Sequence, residues 1–118
     1  YSEKSFQLSS SNRLAFIVEY IREHIHEQLS VARLSKKACM SESNFYRVFK
    51  NELGISPTDF INNERIKLAV SLLQNPDKTI KEIYLCCGFE SRSYFNRVFK
   101  SRKNIAPGDY QSKFNARA

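Results

Sequence analysis

Residues 41–60 read SESNFYRVFKNELGISPTDF, and residues 91–110 read SRSYFNRVFKSRKNIAPGDY. Ten of the twenty paired positions are identical at an offset of 50, including the block Arg-Val-Phe-Lys at 47–50 and 97–100. Upstream the offset becomes 49, pairing Leu34 with Ile83 and Cys39 with Gly88, so the second turn is one residue longer than the first. Chance does not produce agreement at this level, and one structural unit is therefore present twice.

Each copy has the outline of a short helix, a tight turn and a longer helix, which is that of a helix-turn-helix. In the first copy, Ser30 or a neighbour caps a helix through Val31, Leu34 and Ala38, and Cys39-Met40-Ser41 makes the turn. Glu42 to about Leu53 then forms the longer helix, with Phe45, Val48 and Phe49 inward and Gly54 at the position of a C-cap glycine. Ser56-Pro57-Thr58-Asp59 starts a linker helix: Ser caps, Pro fits the first turn, and the acid suits the positive end of the dipole. Its apolar residues are Phe60, Ile61, Leu68, Ala69, Leu72 and Leu73, and Asn75-Pro76-Asp77 ends it. In the second copy Thr79 caps a helix through Ile80, Ile83 and Cys87. Gly88-Phe89-Glu90-Ser91 turns into a helix from Arg92 to about Lys103, and Ala106-Pro107-Gly108-Asp109 opens a last helix carrying Tyr110 and Phe114. Ahead of both copies, Ser11 or Asn12 caps a first helix with Leu14, Ile17, Val18, Ile21 and Ile25 at helical spacing, ending near Gln28. The expected fold is all-α, with seven helices and two helix-turn-helix subdomains joined by a long linker helix. Its divisions are 1–11 as a Ser-rich linker or flexible start, 12–55 as the first subdomain, 56–75 as the linker helix and 76–118 as the second subdomain.

The chain has 118 residues with 19 Lys+Arg against 12 Asp+Glu, a net charge of +7. So large a surplus on so short a chain points to an anionic partner, nucleic acid first and an acidic membrane surface second. A composition of 42% hydrophobic and 13% aromatic residues can bury a core, which excludes a disordered basic tail. No stretch approaches the roughly 18 apolar residues of a membrane span, and no signal peptide is visible. The basic face is split between two units and lacks an apolar insertion edge, which sets the membrane aside. The three cysteines, Cys39, Cys86 and Cys87, are a poor disulfide framework and read as small buried hydrophobes in a reducing, cytoplasmic compartment. His24 and His26 fall on different helix faces and no Cys-x-x-Cys is present, so neither metal nor cofactor is expected. No His/Cys/Asp constellation has the spacing of an activated nucleophile, and the chain does not read as an enzyme.

The outward faces of the two longer helices carry the chemistry. In the first copy they leave Ser43, Asn44, Tyr46, Arg47 and Lys50 outside, and in the second Arg92, Ser93, Asn96, Arg97 and Lys100. Arg, Asn and Ser can read base edges, while Lys and Arg neutralise phosphates. Segments 33–50 and 92–103 hold 10 of the 19 basic residues and one acid, Glu42, a concentration that solubility alone would not produce. The phenylalanines face inward and are not a base-stacking platform. Arg65, in the linker helix, is expected to pair with a nearby acid rather than touch a ligand.

Leu34, Phe45 to Phe49, the Ser-Pro helix start, Arg65 with Ala69 and Leu72-Leu73, Ile83, Gly88-Phe89, Ser93-Tyr94-Phe95, Arg97, Phe99-Lys100, Pro107 and Tyr110 together resemble the AraC/XylS-type transcription regulators. The resemblance runs from about residue 12 to 114 and is most specific in Gly-Phe-x-x-x-Ser-Tyr-Phe. It implies sequence-specific binding of double-stranded DNA, with two recognition helices in adjacent major grooves. Base contacts would come from Ser43, Tyr46 and Arg47 in the first copy and from Arg92, Ser93, Asn96 and Arg97 in the second. Asn44, Lys50 and Lys100 would lie nearer phosphates. It also implies RNA polymerase as a partner of the intact regulator and an upstream effector-binding or dimerisation domain, with which the Ser-rich start and the initial Tyr1 agree. Cys39 stands where the family commonly has Gly, and Tyr84 where a small residue is common. The alternative is a helical protein- or RNA-interaction module.

Overall fold

The computed structural model describes residues 9–117, with side chains from 13 to 114. Among them are seven helices and no strand: α1 (Ser9–Glu23), α2 (Val31–Lys37), α3 (Glu42–Leu53), α4 (Pro57–Leu73), α5 (Ile80–Cys86), α6 (Arg92–Lys103) and α7 (Pro107–Arg117). The all-α, seven-helix architecture expected from the sequence is the one found. The chain divides into two compact units on either side of Ile61 and Asn62.

The first unit gathers Leu14, Ile17 and Ile21 from α1, Leu34 from α2, Ala38 just beyond it, Phe45 and Phe49 from α3, and Ile61 from α4. Removing such side chains from water contributes about 1.5–3 kcal/mol each for the larger ones. Phe45 and Phe49 meet one turn apart at 5.6 Å, and Phe60 meets Phe49 edge-on at 5.6 Å. The second unit repeats this pattern with Ile66, Ala69, Leu73, Ile83, Cys87, Phe89, Phe95, Val98 and Phe99. Phe95 and Phe99 lie 5.8 Å apart, and Tyr110 meets Phe99 edge-on at 5.6 Å, as Phe60 meets Phe49. Tyr84 fills its site by setting its ring 5.9 Å from Phe95.

Local chemistry marks the boundaries. Ser30, Ser41, Ser56, Thr79 and Ser91 each accept a hydrogen bond from the backbone N–H three residues on, satisfying donors that a helix start leaves open. Gly54 closes α3 at φ +80° and Asn104 closes α6 at φ +66°, 50 positions apart. The turns inside the two copies match as well: Cys39 sits at φ +60° and Gly88 at φ +91°. Cys39 thus holds a glycine conformation that costs an L-residue about 1–2 kcal/mol.

Three expectations change. The first helix starts at Ser9 rather than after Ser11 or Asn12, because serine in a first turn costs little once the following stripe is buried; residues 1–8 of the expected 1–11 linker lie outside the described residues. The same helix ends at Glu23 rather than near Gln28. There the His24 N–H is shared between the Tyr20 and Ile21 carbonyls, His24 Nδ1–H donates to the Tyr20 carbonyl at 2.9 Å, and Glu27 N–H bonds back to His24. Ile25 and Leu29 still pack on the core from this turn, so a periodic pattern continues where the helix does not. Ile66, absent from the expected apolar set of α4, is buried in the second core.

Cys39→Gly is expected to stabilise the first unit by up to about 1 kcal/mol, since removal of the Cβ strain exceeds the added unfolded-state entropy. Urea unfolding followed by circular dichroism measures it; a loss of stability would show that the Cys39 side chain contributes more than its backbone costs.

Candidate nucleic-acid interface

On α3 and α6 the phenylalanines fix which residues face water. Phe45 and Phe49, and Phe95 and Phe99, are fully buried. Residues two after the first Phe and one after the second then fall on the opposite side of a 3.6-residue turn. Ser43, Tyr46, Arg47 and Lys50 are exposed on α3, and Arg92, Ser93, Asn96, Arg97 and Lys100 on α6. Each set is brought together on one helix face of its own unit. Tyr46 is 43% exposed, an unusual setting for so large a ring.

The two equivalent arginines are held by different means. In the first unit the half-buried Asn44 accepts a hydrogen bond from the Arg47 guanidinium through its amide oxygen, leaving its NH2 group to donate outward. In the second unit Tyr94 occupies the position of Asn44, and the Arg97 guanidinium lies over its ring, 5.1 Å from the centroid. The Tyr94 hydroxyl accepts a 2.8 Å hydrogen bond from Asn62 of α4, which is 5% exposed. A buried amide thus fixes a ring, and the ring orients an arginine. Asn62 and Tyr94 were missed by sequence reasoning; the pairing of Tyr94 with Arg97 three residues on was a readable signal, but the partner 32 residues upstream was not.

Arg65 is 8% exposed, its guanidinium 5.8 Å from the Phe89 ring centroid. Burial lowers its pKa, and Tyr94, Cys87 and the Glu90 carboxylate oppose that shift. The position fits the expected structural role. On α5, the Glu82 carboxylate accepts from the Thr79 backbone and hydroxyl, completing a capping box that holds its pKa below the usual range.

The cysteines correct the sequence reading. Cys87 is buried as expected, but Cys39 and Cys86 are exposed, Cys39 at the tip of its turn and Cys86 on the outer side of α5. Burial pushes the Cys87 thiol up to about 12, so it stays protonated where a nucleophile would have to ionise. Among the described residues no three His, Cys, Asp or Glu side chains gather as a metal cluster, and no helix is long and apolar enough to cross a membrane.

Comparison with known proteins places this geometry. The model of the helix-turn-helix domain family matches residues 34–113. The structure is similar to the DNA-binding domain of AdpA, a global transcriptional factor solved in complex with a target DNA. The TM-score is 0.83 at 32% identity, over 88% of this chain and 94% of that one. It is also similar to a transcriptional regulator from Chromobacterium violaceum with an AraC-type DNA-binding domain, at TM-score 0.77 and 29% identity over 91% and 96%. The sequence is 34% identical to the probable transcriptional regulator LumQ of Photobacterium leiognathi over 83% of this chain and 40% of that protein. It is 27% identical to the regulator MtrA of Neisseria gonorrhoeae over 86% and 34%. The chain therefore spans well under half the length of these two relatives.

Iodoacetamide applied to the native chain at mildly alkaline pH is expected to label Cys39 and Cys86 and to spare Cys87, as peptide mass mapping would show. Because the folded thiol titrates near 12 and the unfolded one near 9, stability is expected to fall as pH rises between those values. Rapid labelling of native Cys87 would contradict its burial.

Proposed function

The chain belongs to the AraC-type helix-turn-helix family, and from that premise we propose that it is the DNA-binding module of a transcription regulator that reads duplex DNA with α3 and α6 in two adjacent major grooves. The observation that carries this reading is the recurrence, 50 residues apart, of one exposed face ending in Arg and Lys, built on one buried phenylalanine pair. The likeness to a domain solved on its target DNA supports it.

In this reading Arg47 and Arg97 present bidentate forks to guanine edges, each pre-oriented by its neighbour, Asn44 or Tyr94. Ser43, Ser93, Asn96 and Arg92 supply further base-edge donors and acceptors, and Tyr46 offers its ring to a thymine methyl. Lys50 and Lys100 neutralise phosphates, and Asn44 donates to one through its NH2 group. Binding, not catalysis, is the activity, which accords with a Cys87 thiol held protonated. For the intact regulator we propose a cytoplasmic location, an upstream effector-binding or dimerisation domain and RNA polymerase as a partner. The greater length of LumQ and MtrA, and their names as transcriptional regulators, support that extension.

The test is enrichment of bound duplexes from a random pool, followed by titration of the enriched site against a scrambled duplex and an RNA hairpin. The expected outcome is a preference of about 10³-fold or more for the enriched duplex; equal affinity for all three sinks the reading. On the enriched site, Arg97→Ala is expected to cost about 1–3 kcal/mol and to relax preference at one base pair. Lys100→Ala is expected to weaken all duplexes alike and to flatten the salt slope by about one unit. Fluorescence anisotropy on single-base-pair variants separates the two.

A further inference from the structure

The two copies share a core and diverge on the outer face of their first helix. On α2 this face carries Arg33, Lys36 and Lys37, at the i, i+3 and i+4 spacing that lines up side chains, opposite the buried Leu34 and Ala38. The equivalent residues of α5, at an offset of 49, are Glu82, Leu85 and Cys86, opposite the buried Ile83 and Cys87. All six are exposed. Three positive charges on one unit stand against one negative charge on the other, on the same backbone.

Helix stability does not account for the difference. Lys36 and Lys37 lie in the last turn, where the dipole favours a cation. Arg33 lies three residues after the Ser30 cap, where the dipole favours an acid and where Glu82 completes the capping box of the second copy. The first copy forgoes that bond and sets a cation at the positive helix end. One of the five Arg33 N–H donors reaches the Gln28 carbonyl at 3.3 Å, and the Lys37 ammonium rests 4.5 Å from the Tyr20 ring centroid. Both contacts steer the side chains while their charged ends stay in water.

We propose that Arg33, Lys36 and Lys37 form a phosphate clamp for the backbone of duplex DNA, present on the first unit and absent from the second. The inference rests on the DNA-binding reading above. In a helix-turn-helix the first helix crosses the DNA backbone while the second enters the groove, so a basic outer face on α2 meets phosphates. The first unit then supplies most of the sequence-independent, salt-sensitive hold. The second unit, with an acid and two uncharged residues at the same places, depends on the contacts of α6.

The test is a salt series of anisotropy titrations of the 118-residue chain on the enriched duplex and on a scrambled duplex of equal length. A triple Arg33→Gln, Lys36→Gln, Lys37→Gln variant is expected to lose the same factor on both duplexes. Its slope of log affinity against log salt should be shallower by about two to three units, at roughly 0.9 per phosphate released. Lys36→Gln alone, which touches neither the Tyr20 nor the Gln28 contact, should take about one unit. The charge-preserving set Arg33→Lys, Lys36→Arg, Lys37→Arg should keep the original slope, which separates lost charge from lost folding. An unchanged slope in the triple variant, or a loss confined to the enriched duplex, overturns the clamp while DNA binding stands. A parent chain that binds neither duplex overturns the DNA reading and the clamp with it.

Discussion

The rotation of two helices about their own axes is the constraint on which the rest depends. Phe45 and Phe49 in α3, and Phe95 and Phe99 in α6, are buried one turn apart and leave each helix a single way to face its core. A rotation of one residue would expose a phenylalanine and drive Arg47 or Arg97 inward, where an unpaired charge costs several kcal/mol. The outward set is therefore a consequence of the inward one. A serine cap at one end and a left-handed residue at the other hold each helix to twelve residues, so the same face is presented in both units.

What the two units share and where they differ separates scaffold from surface. The caps, the positive-φ turn, the paired phenylalanines and the edge-on ring from the following helix recur at offsets of 49 or 50. The outer faces do not. Asn44 is matched by Tyr94, Lys36 by Leu85, and Glu52 by Arg102, which donates a 2.8 Å hydrogen bond to Asn63. A duplicated scaffold with diverged faces suits a reader of two different short sequences better than a reader of one sequence twice.

Much of this was legible because it is local. A Ser or Thr three residues before an open backbone N–H, a Pro in a first turn and a Gly after a last turn are complete arguments within four or five residues. The exposed site faces followed from Phe spacing alone. The ends of α1 were not legible, since Ile25 buries equally well from a helix or from the turn that His24 makes. Ile66 escaped because α4 serves the first core with Ile61 and the second with Ile66, Ala69 and Leu73, so no single stripe runs along it. The Asn62–Tyr94 and Arg102–Asn63 bonds join residues 32 and 39 positions apart, a range over which spacing carries no information. Cys39 illustrates a partial signal: its place in the repeat matched Gly88, and its backbone adopts the glycine conformation regardless of its side chain.

The measurement that bears most directly on the central claim is amide chemical-shift mapping of the chain on adding an enriched duplex. The account predicts that the largest perturbations fall within α3 and α6, at residues 42–50 and 92–100, while the buried phenylalanine pairs keep their mutual ring contacts. Perturbations concentrated on α1 and α7, with α3 and α6 unmoved, would contradict it.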